Sequence, residues 1–333
     1  MSQPLLAVEN LQTYFLTGTS IVKAVDGVSF QVQAGEVLGL VGESGSGKSM
    51  TGRSILRLIP HPGRIVGGRV LFKGTDLLTL SDREMRDVRG AQITAVPQNP
   101  LSSLNPGFKI KDQIIDVLRL HRRLGKREAR AVAVETLAQV GIPDSEHTLE
   151  KYPHQLSGGM RQRVMITIAF ACRPALVIAD EPTSALDVTT QAQIVELLRD
   201  LQRRFGTAML LITHDLGLVS KVCDRVVIMY GGHLMEEAPV KELFEHPANP
   251  YTRALMRAIP RLETRQGALY SIPGSIVDLP ERDICPFMPR CAEKIRVCED
   301  DGLPPAVTIG PKHCSACWLH ALPGPTGPPP RSQ

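Results

Sequence analysis

Gly42-Glu43-Ser44-Gly45-Ser46-Gly47-Lys48-Ser49 decides the reading of this chain. The octapeptide satisfies the phosphate-binding pattern G-x-x-x-x-G-K-[ST] at every fixed position. An apolar run, Val37 to Val41, precedes it, and a helix-compatible run, Met50 to Leu58, follows. Strand, loop and helix are the setting the pattern requires. The glycines let backbone N–H groups curl around an anion without Cβ clashes. The new helix adds its unpaired N–H groups and the positive end of its dipole. Lys48 would reach the β- and γ-phosphates, and the Ser49 hydroxyl would ligate Mg²⁺. Gly42, Ser44, Gly45, Ser46, Gly47, Lys48, Ser49 and the adjoining Met50 are the expected nucleotide contacts.

Outward from this loop, strand-like and helix-like segments alternate. Strands are expected at Val28–Val32, Val37–Val41, Arg69–Phe72, Ile93–Val96, Leu176–Ala179, Met209–Thr213 and Val226–Tyr230. Helices are expected at Lys48–Leu58, Arg127–Val140, Gly158–Cys172 and Thr190–Arg203. In the last of these, Ile194, Leu197, Leu198 and Leu201 share one face. Such alternation implies an α/β fold with a largely parallel sheet. Residues 99–173 carry helical patterns and read as a helical insert. Past Gly231-Gly232 the chain becomes less regular, with short helices at Lys241–Glu245 and Tyr251–Ala258. The Pro- and Gly-rich end, 323–333, reads as a disordered tail.

Two further motifs carry chemistry. Leu176-Val177-Ile178-Ala179-Asp180-Glu181 is an apolar strand that ends in two carboxylates. A buried parallel strand delivers such groups to its carboxyl edge, where ligands bind. Asp180 would hold Mg²⁺ through water, and Glu181 would polarise the water that attacks the γ-phosphate. Leu156-Ser157-Gly158-Gly159-Met160-Arg161-Gln162-Arg163 opens another helix and offers a second anion site. One chain has little use for two γ-phosphate sites on one nucleotide. The arrangement makes sense if Ser157, Gly158 and Gly159 face a nucleotide held by a second subunit.

Composition narrows the classes. The chain has 333 residues and a formal net charge of +4, with no block of five or more basic residues. Charge therefore gives no support to nucleic-acid binding. The longest membrane-span candidate, Val164 to Ala179, is broken by Arg173-Pro174 and ends in acids. No secretory signal is readable at the amino terminus, so the soluble interior of the cell is the expected location. Of seven cysteines, Cys285, Cys291, Cys298, Cys314 and Cys317 crowd near the end. Four thiolates suit Zn²⁺ or an iron–sulfur cluster.

Taken in order, the phosphate loop 42–49, Gln98, Leu-Ser-Gly-Gly 156–159, the acidic strand 176–181, Ser184-Ala185-Leu186-Asp187 and His214 resemble an ATP-binding cassette (ABC) ATPase. The resemblance covers roughly residues 5 to 240. It implies a P-loop NTPase core (1–240) with a helical subdomain, binding ATP and Mg²⁺. By resemblance, Gln98 contacts Mg²⁺ and the attacking water, Asp187 lies at the subunit junction, and His214 touches the γ-phosphate. Phe15 best fits the register of the aromatic that stacks on adenine, with Tyr14 its neighbour. Met160 stands where many members have Gln, and Pro97 where an aromatic is common. Neither departure removes a catalytic group.

A narrower resemblance spans nearly the whole chain. Residues 99–106 (Asn-Pro-Leu-Ser-Ser-Leu-Asn-Pro), Tyr152-Pro153-His154-Gln155 before the Ser-Gly-Gly motif, Asn249-Pro250-Tyr251-Thr252-Arg253-Ala254-Leu255, and Cys285-Pro286-Phe287 with Arg290-Cys291 and Cys298 are similar to the dipeptide/oligopeptide importer branch. That branch implies a small irregular Cys-rich C-terminal domain, 241–322. It also implies a [4Fe–4S] cluster on Cys285, Cys291, Cys298 and Cys317, with Cys314 spare and Zn²⁺ the alternative. The expected partners are a second ABC ATPase subunit, two transmembrane permeases and an extracytoplasmic peptide-binding protein, with no nucleic acid. The expected place is the cytoplasmic face of the cell membrane. Another cargo (nickel, glutathione or sugars) and a soluble ABC ATPase acting on ribosomes or DNA are the competing readings. Ribosome-type members usually carry two cassettes in one chain, and chromosome-type members insert long coiled coils; this chain has neither.

Overall fold

The computed structural model describes residues 3–18, 20–184, 186–259, 270–275 and 283–322. The expected tail at 323–333 and Ala185 lie outside the described residues. In chain order the strands are β1 (Leu6–Thr17), β2 (Ser20–Val32), β3 (Val37–Val41), β4 (Gly63–Phe72), β5 (Thr75–Asp76), β6 (Ile93–Val96), β7 (Leu176–Asp180), β8 (Ala208–Thr213), β9 (Arg225–Tyr230), β10 (His233–Pro239), β11 (Ala306–Gly310) and β12 (His313–Ala316).

They form two sheets. An antiparallel sheet runs in the order β2-β1-β4-β5, and a larger one in the order β11-β12-β10-β9-β3-β8-β7-β6. Within the larger sheet, β6, β7, β8, β3 and β9 are parallel, with Val37 opposite Met209 and Val41 opposite Thr213. β3, β8 and the body of β7 are buried on both faces, which explains their unbroken apolar runs.

Successive side chains on these strands serve two cores. Leu38, Leu40, Ile178, Leu210 and Ile212 pack towards the antiparallel sheet and Ile55 of the helix Lys48–Ile55. Val37, Val177, Ala179, Met209 and Leu211 pack towards helices Ile110–Arg122, Lys126–Gln139, Gly158–Phe170 and Val188–Phe205. The strand period of two divides the strands between these layers.

The C-terminal hairpin β11–β12 extends the large sheet: β12 pairs with β10 through Glu236–Ser315 and Glu237–Cys314. The expectation of loss of regularity after Gly232 thus misses three strands. Buried Glu236 accepts hydrogen bonds from the amides of Ala248 (2.8 Å) and Asn249 (3.0 Å) and from His313 Nε2 (2.7 Å). Asn249 adds donations to the carbonyls of Met235 (3.0 Å) and Ala316 (3.1 Å). Among the described residues no helix is long and apolar enough to cross a membrane.

Candidate nucleotide site

The phosphate loop leaves the carboxyl end of β3 and enters the helix at Lys48. Two glycines in it are forced by contact. A Cβ on Gly42 would lie 2.1 Å from the Met229 carbonyl oxygen, and one on Gly47 2.3 Å from that of Ala24. Gly47 also has φ +100° at the helix N-cap.

Lys48 is buried, and its ammonium donates to the carbonyls of Gly42 (2.7 Å) and Glu43 (2.8 Å) and to Ser46 Oγ (3.2 Å). Burial lowers its pKa to about 8, with the nearby Glu181, Asp180 and Glu43 carboxylates opposing that shift. The Ser49 hydroxyl donates to Asp180 Oδ1 at 2.8 Å, so the two expected magnesium-side groups already touch. Burial raises the Asp180 carboxyl, opposed by the Ser49 bond.

Glu181 follows β7 with a left-handed backbone (φ +44°) and its amide on the Ile212 carbonyl at 2.8 Å. Gln98 Nε2 donates to its Oε2 at 2.7 Å, and His214 Nδ1 lies 3.0 Å from its Oε1. Three segments far apart in sequence therefore converge on one carboxylate. Together they edge a cavity of about 910 Å³ lined by residues 42–50, Val22–Ala24, Gln98, Glu181 and His214. A volume of that order suits a small-molecule ligand.

The other predicted residues separate from this group. Phe15 pairs across the strands with cavity-lining Val22, and its ring edge lies against Gly63. The Tyr14 hydroxyl is committed to Asp26 at 2.6 Å. Ser157 caps the helix Gly158–Phe170 by accepting from the Met160 amide (3.3 Å), and Ser157 and Gly158 face solvent rather than the cavity. Asp187 caps the helix Val188–Phe205 through the Thr190 amide (3.0 Å), and a Cβ on Gly159 would stand 3.0 Å from Thr190 Cγ2. The Ser-Gly-Gly helix and the Asp187 turn thus form one exposed surface.

Cys285, Cys291, Cys298 and Cys317 line one small void together with Trp318, whose buried Nε1 has no hydrogen-bond partner among the described residues. Burial raises the thiol of Cys285 to about 12 and that of Cys317 to about 11. Cys314 lies elsewhere, its sulfur 3.6 Å from the Thr308 hydroxyl. As they stand, no three His, Cys, Asp or Glu side chains among the described residues are grouped so as to hold a metal ion.

Reasoning from the sequence missed that the C-terminal region helps wall the cavity, through Leu255, Gly274, Ser275 and Arg290. Of these, the motifs Asn249–Leu255 and Arg290-Cys291 were conspicuous in sequence, but nothing in their spacing points to the phosphate loop.

Comparison with known proteins shows the family of the chain. A family model described as ABC transporter matches residues 25–184, and one described as oligopeptide/dipeptide transporter, C-terminal region, matches residues 235–298. The chain is 50% identical over 317 residues to a probable peptide ABC transporter ATP-binding protein of Sinorhizobium fredii, covering 94% of each chain. It is 45% identical to the dipeptide transport ATP-binding protein DppD of Bacillus subtilis (95% of each). It is 44% identical to the oligopeptide transport ATP-binding protein OppD of Salmonella typhimurium (94% and 93%). Among solved structures, the dimeric post-hydrolysis ATP-binding cassette MJ0796 bound to ADP and Pi aligns with a TM-score of 0.64 and 28% identity, over 71% of this chain and 98% of that one.

Proposed function

The chain belongs to the family of ATP-binding subunits of oligopeptide and dipeptide ABC importers, and from that premise we propose which of its residues bind and cleave ATP. It is the ATPase component of a peptide import system. The observation that carries the residue assignment is the Glu181 carboxylate, held by Gln98 and His214 at the edge of the phosphate-loop cavity.

In this reading residues 42–50 cradle the triphosphate, Lys48 moves from loop carbonyls to the β- and γ-phosphates, and Phe15 stacks on adenine. Ser49 and Gln98 contact Mg²⁺, with Asp180 behind Ser49. Mg²⁺ neutralises phosphate charge when bound. Glu181 accepts hydrogen bonding from the attacking water, and His214 fixes Glu181 and meets the γ-phosphate.

Ser157, Gly158 and Gly159 serve the ATP held by a second ATPase subunit, and Asp187 lies at that junction. The exposure of Ser157, Gly158 and Asp187 away from the chain's own cavity supports this. Two transmembrane permeases complete the assembly, with this chain at the cytoplasmic face of the membrane and an extracytoplasmic binding protein supplying cargo. Residues 1–240 act as the nucleotide-binding domain, with 99–173 its helical insert, and 241–322 as the C-terminal domain.

Cys285, Cys291, Cys298 and Cys317 are the proposed ligands of a [4Fe–4S] cluster. What supports the reading is that these four cysteines line one small void together with Trp318, whose indole N–H has no partner among the described residues, while Cys314 is not part of that lining; binding a cluster would require the thiols to regroup. A cluster would cross-link the C-terminal segments and can carry an electron. A tagged pull-down from detergent-solubilised membranes tests the assembly. Two multi-span permeases and a second ATPase are expected; ribosomal or DNA-bound proteins without permeases would contradict it.

A further inference from the structure

Arg290 closes the short turn Met288–Arg290, and its side chain is only 5% exposed. A guanidinium has five N–H donors, and here all five are engaged. Nη1 donates to Glu43 Oε2 (2.7 Å) and the Tyr230 hydroxyl (3.1 Å). Nη2 donates to Glu43 Oε1 (3.1 Å) and the Ile272 carbonyl (3.1 Å), and Nε to the Pro273 carbonyl (2.7 Å). Gly274, at φ +78°, lets this loop lie against the arginine stem: a Cβ there would stand 3.2 Å from Arg290 Cγ.

Glu43 is a variable position of the phosphate-loop pattern, so nucleotide chemistry does not demand a carboxylate there. All its polar groups are nevertheless tied. The side chain is held in a two-pronged pair by Arg290. The amide donates to the Tyr251 hydroxyl at 3.0 Å. The carbonyl accepts from the Lys48 ammonium (2.8 Å) and the Ser46 amide (3.2 Å). Tyr251 is fully buried against the rings of Tyr230 (4.7 Å) and Phe287 (5.0 Å). Arg290 and Tyr251 thus carry the C-terminal region onto the backbone that holds Lys48.

We propose that Arg290 is a positioning residue of the ATP site: with Tyr251 it fixes Glu43, and through Glu43 it sets the phosphate loop for ATP. A loop fixed beforehand loses less freedom when ligand arrives. Without Arg290, the Glu43 carboxylate is also left without its cation beside a triphosphate. The C-terminal region therefore tunes ATP affinity from outside the phosphate-loop motif. The inference rests on residues 42–49 being the ATP site of this chain.

The test is calorimetric binding of MgATP to the full chain carrying Arg290→Gln, Glu43→Gln, both together, Tyr251→Phe, or Lys48→Ala. Arg290→Gln is expected to weaken binding about tenfold. Tyr251→Phe, which keeps the buried ring and serves if Arg290→Gln does not fold, is expected to weaken it about threefold. The double variant is expected to bind no more weakly than Arg290→Gln alone, because both remove one interaction. A merely structural role would lower the melting temperature of the nucleotide-free chain and leave ATP affinity intact. Folded Arg290→Gln and Tyr251→Phe variants that bind ATP like the wild type, or additive losses in the double variant, would overturn the proposal. If Lys48→Ala also binds normally, the assignment of the site itself fails; if Lys48→Ala abolishes binding, only the role of Arg290 does.

Discussion

Gln98 donates to Glu181 Oε2 at 2.7 Å across 83 residues of sequence. That bond ties the carboxyl end of β6 to the carboxyl end of β7, the neighbouring parallel strand. The helical segment begins just after Gln98, so this bond links the start of that segment to the carboxylate proposed for water activation. With His214 on the other oxygen, Glu181 is oriented from both sides.

Replacement of His214 by Ala removes one of these two holds and leaves the phosphate loop untouched. ATP binding is expected to stay within about threefold of wild type, and turnover to fall by about a hundredfold or more. Steady-state phosphate release alongside nucleotide affinity checks both halves.

Lys48 titrates near pH 8 in the free chain, because burial disfavours its charge. Only the protonated amine pairs with phosphate, so affinity is present below that pH and is lost as pH rises through it. Calorimetry from about pH 7 to pH 9 should show MgATP affinity falling by up to about tenfold per pH unit above 8. A flat profile would contradict the assignment of Lys48 to the phosphates.

Phe15 is the proposed adenine contact, because it pairs across the strands with Val22, which lines the phosphate-loop cavity. Phe15→Ala should weaken ATP about tenfold, a loss of about 1.4 kcal/mol, within the range for base stacking on an aromatic ring. Phe15→Trp should retain affinity, as titration with a fluorescent ATP analogue would show.

The cysteine assignment makes a distinct prediction about metal content. Chain purified without oxygen should hold about four irons with matching acid-labile sulfide. Cys285→Ser should lose them, and Cys314→Ser should keep them, because Cys314 lies outside the void shared by the other four. One zinc per chain with no iron would remove the cluster from the account.

Much of this was legible in the sequence, for physical reasons. β3 and β6 have the bounds their apolar runs predict, and the phosphate-loop chemistry is local. β1 was not legible because register shifts between Val8 and Leu11 and a left-handed Asn10 break its alternation. β10 hides behind Glu236 and Glu237, and a buried Glu236 makes sense only once His313, 77 residues later, is seen beside it. Arg290 and Glu43 are 247 residues apart, and spacing carries no trace of their pairing. The helix after Lys48 ends at Ile55 rather than Leu58, where Arg57 turns to positive φ.

Glu181 is assigned to activate water for ATP held on this chain's own phosphate loop. The direct measurement is single-turnover hydrolysis and nucleotide retention by the Glu181→Gln chain in its assembled transporter, with the partner ATPase left intact. ATP is expected to stay bound, uncleaved, at this chain's site, and turnover there to stop. Normal cleavage at that site in Glu181→Gln would contradict it.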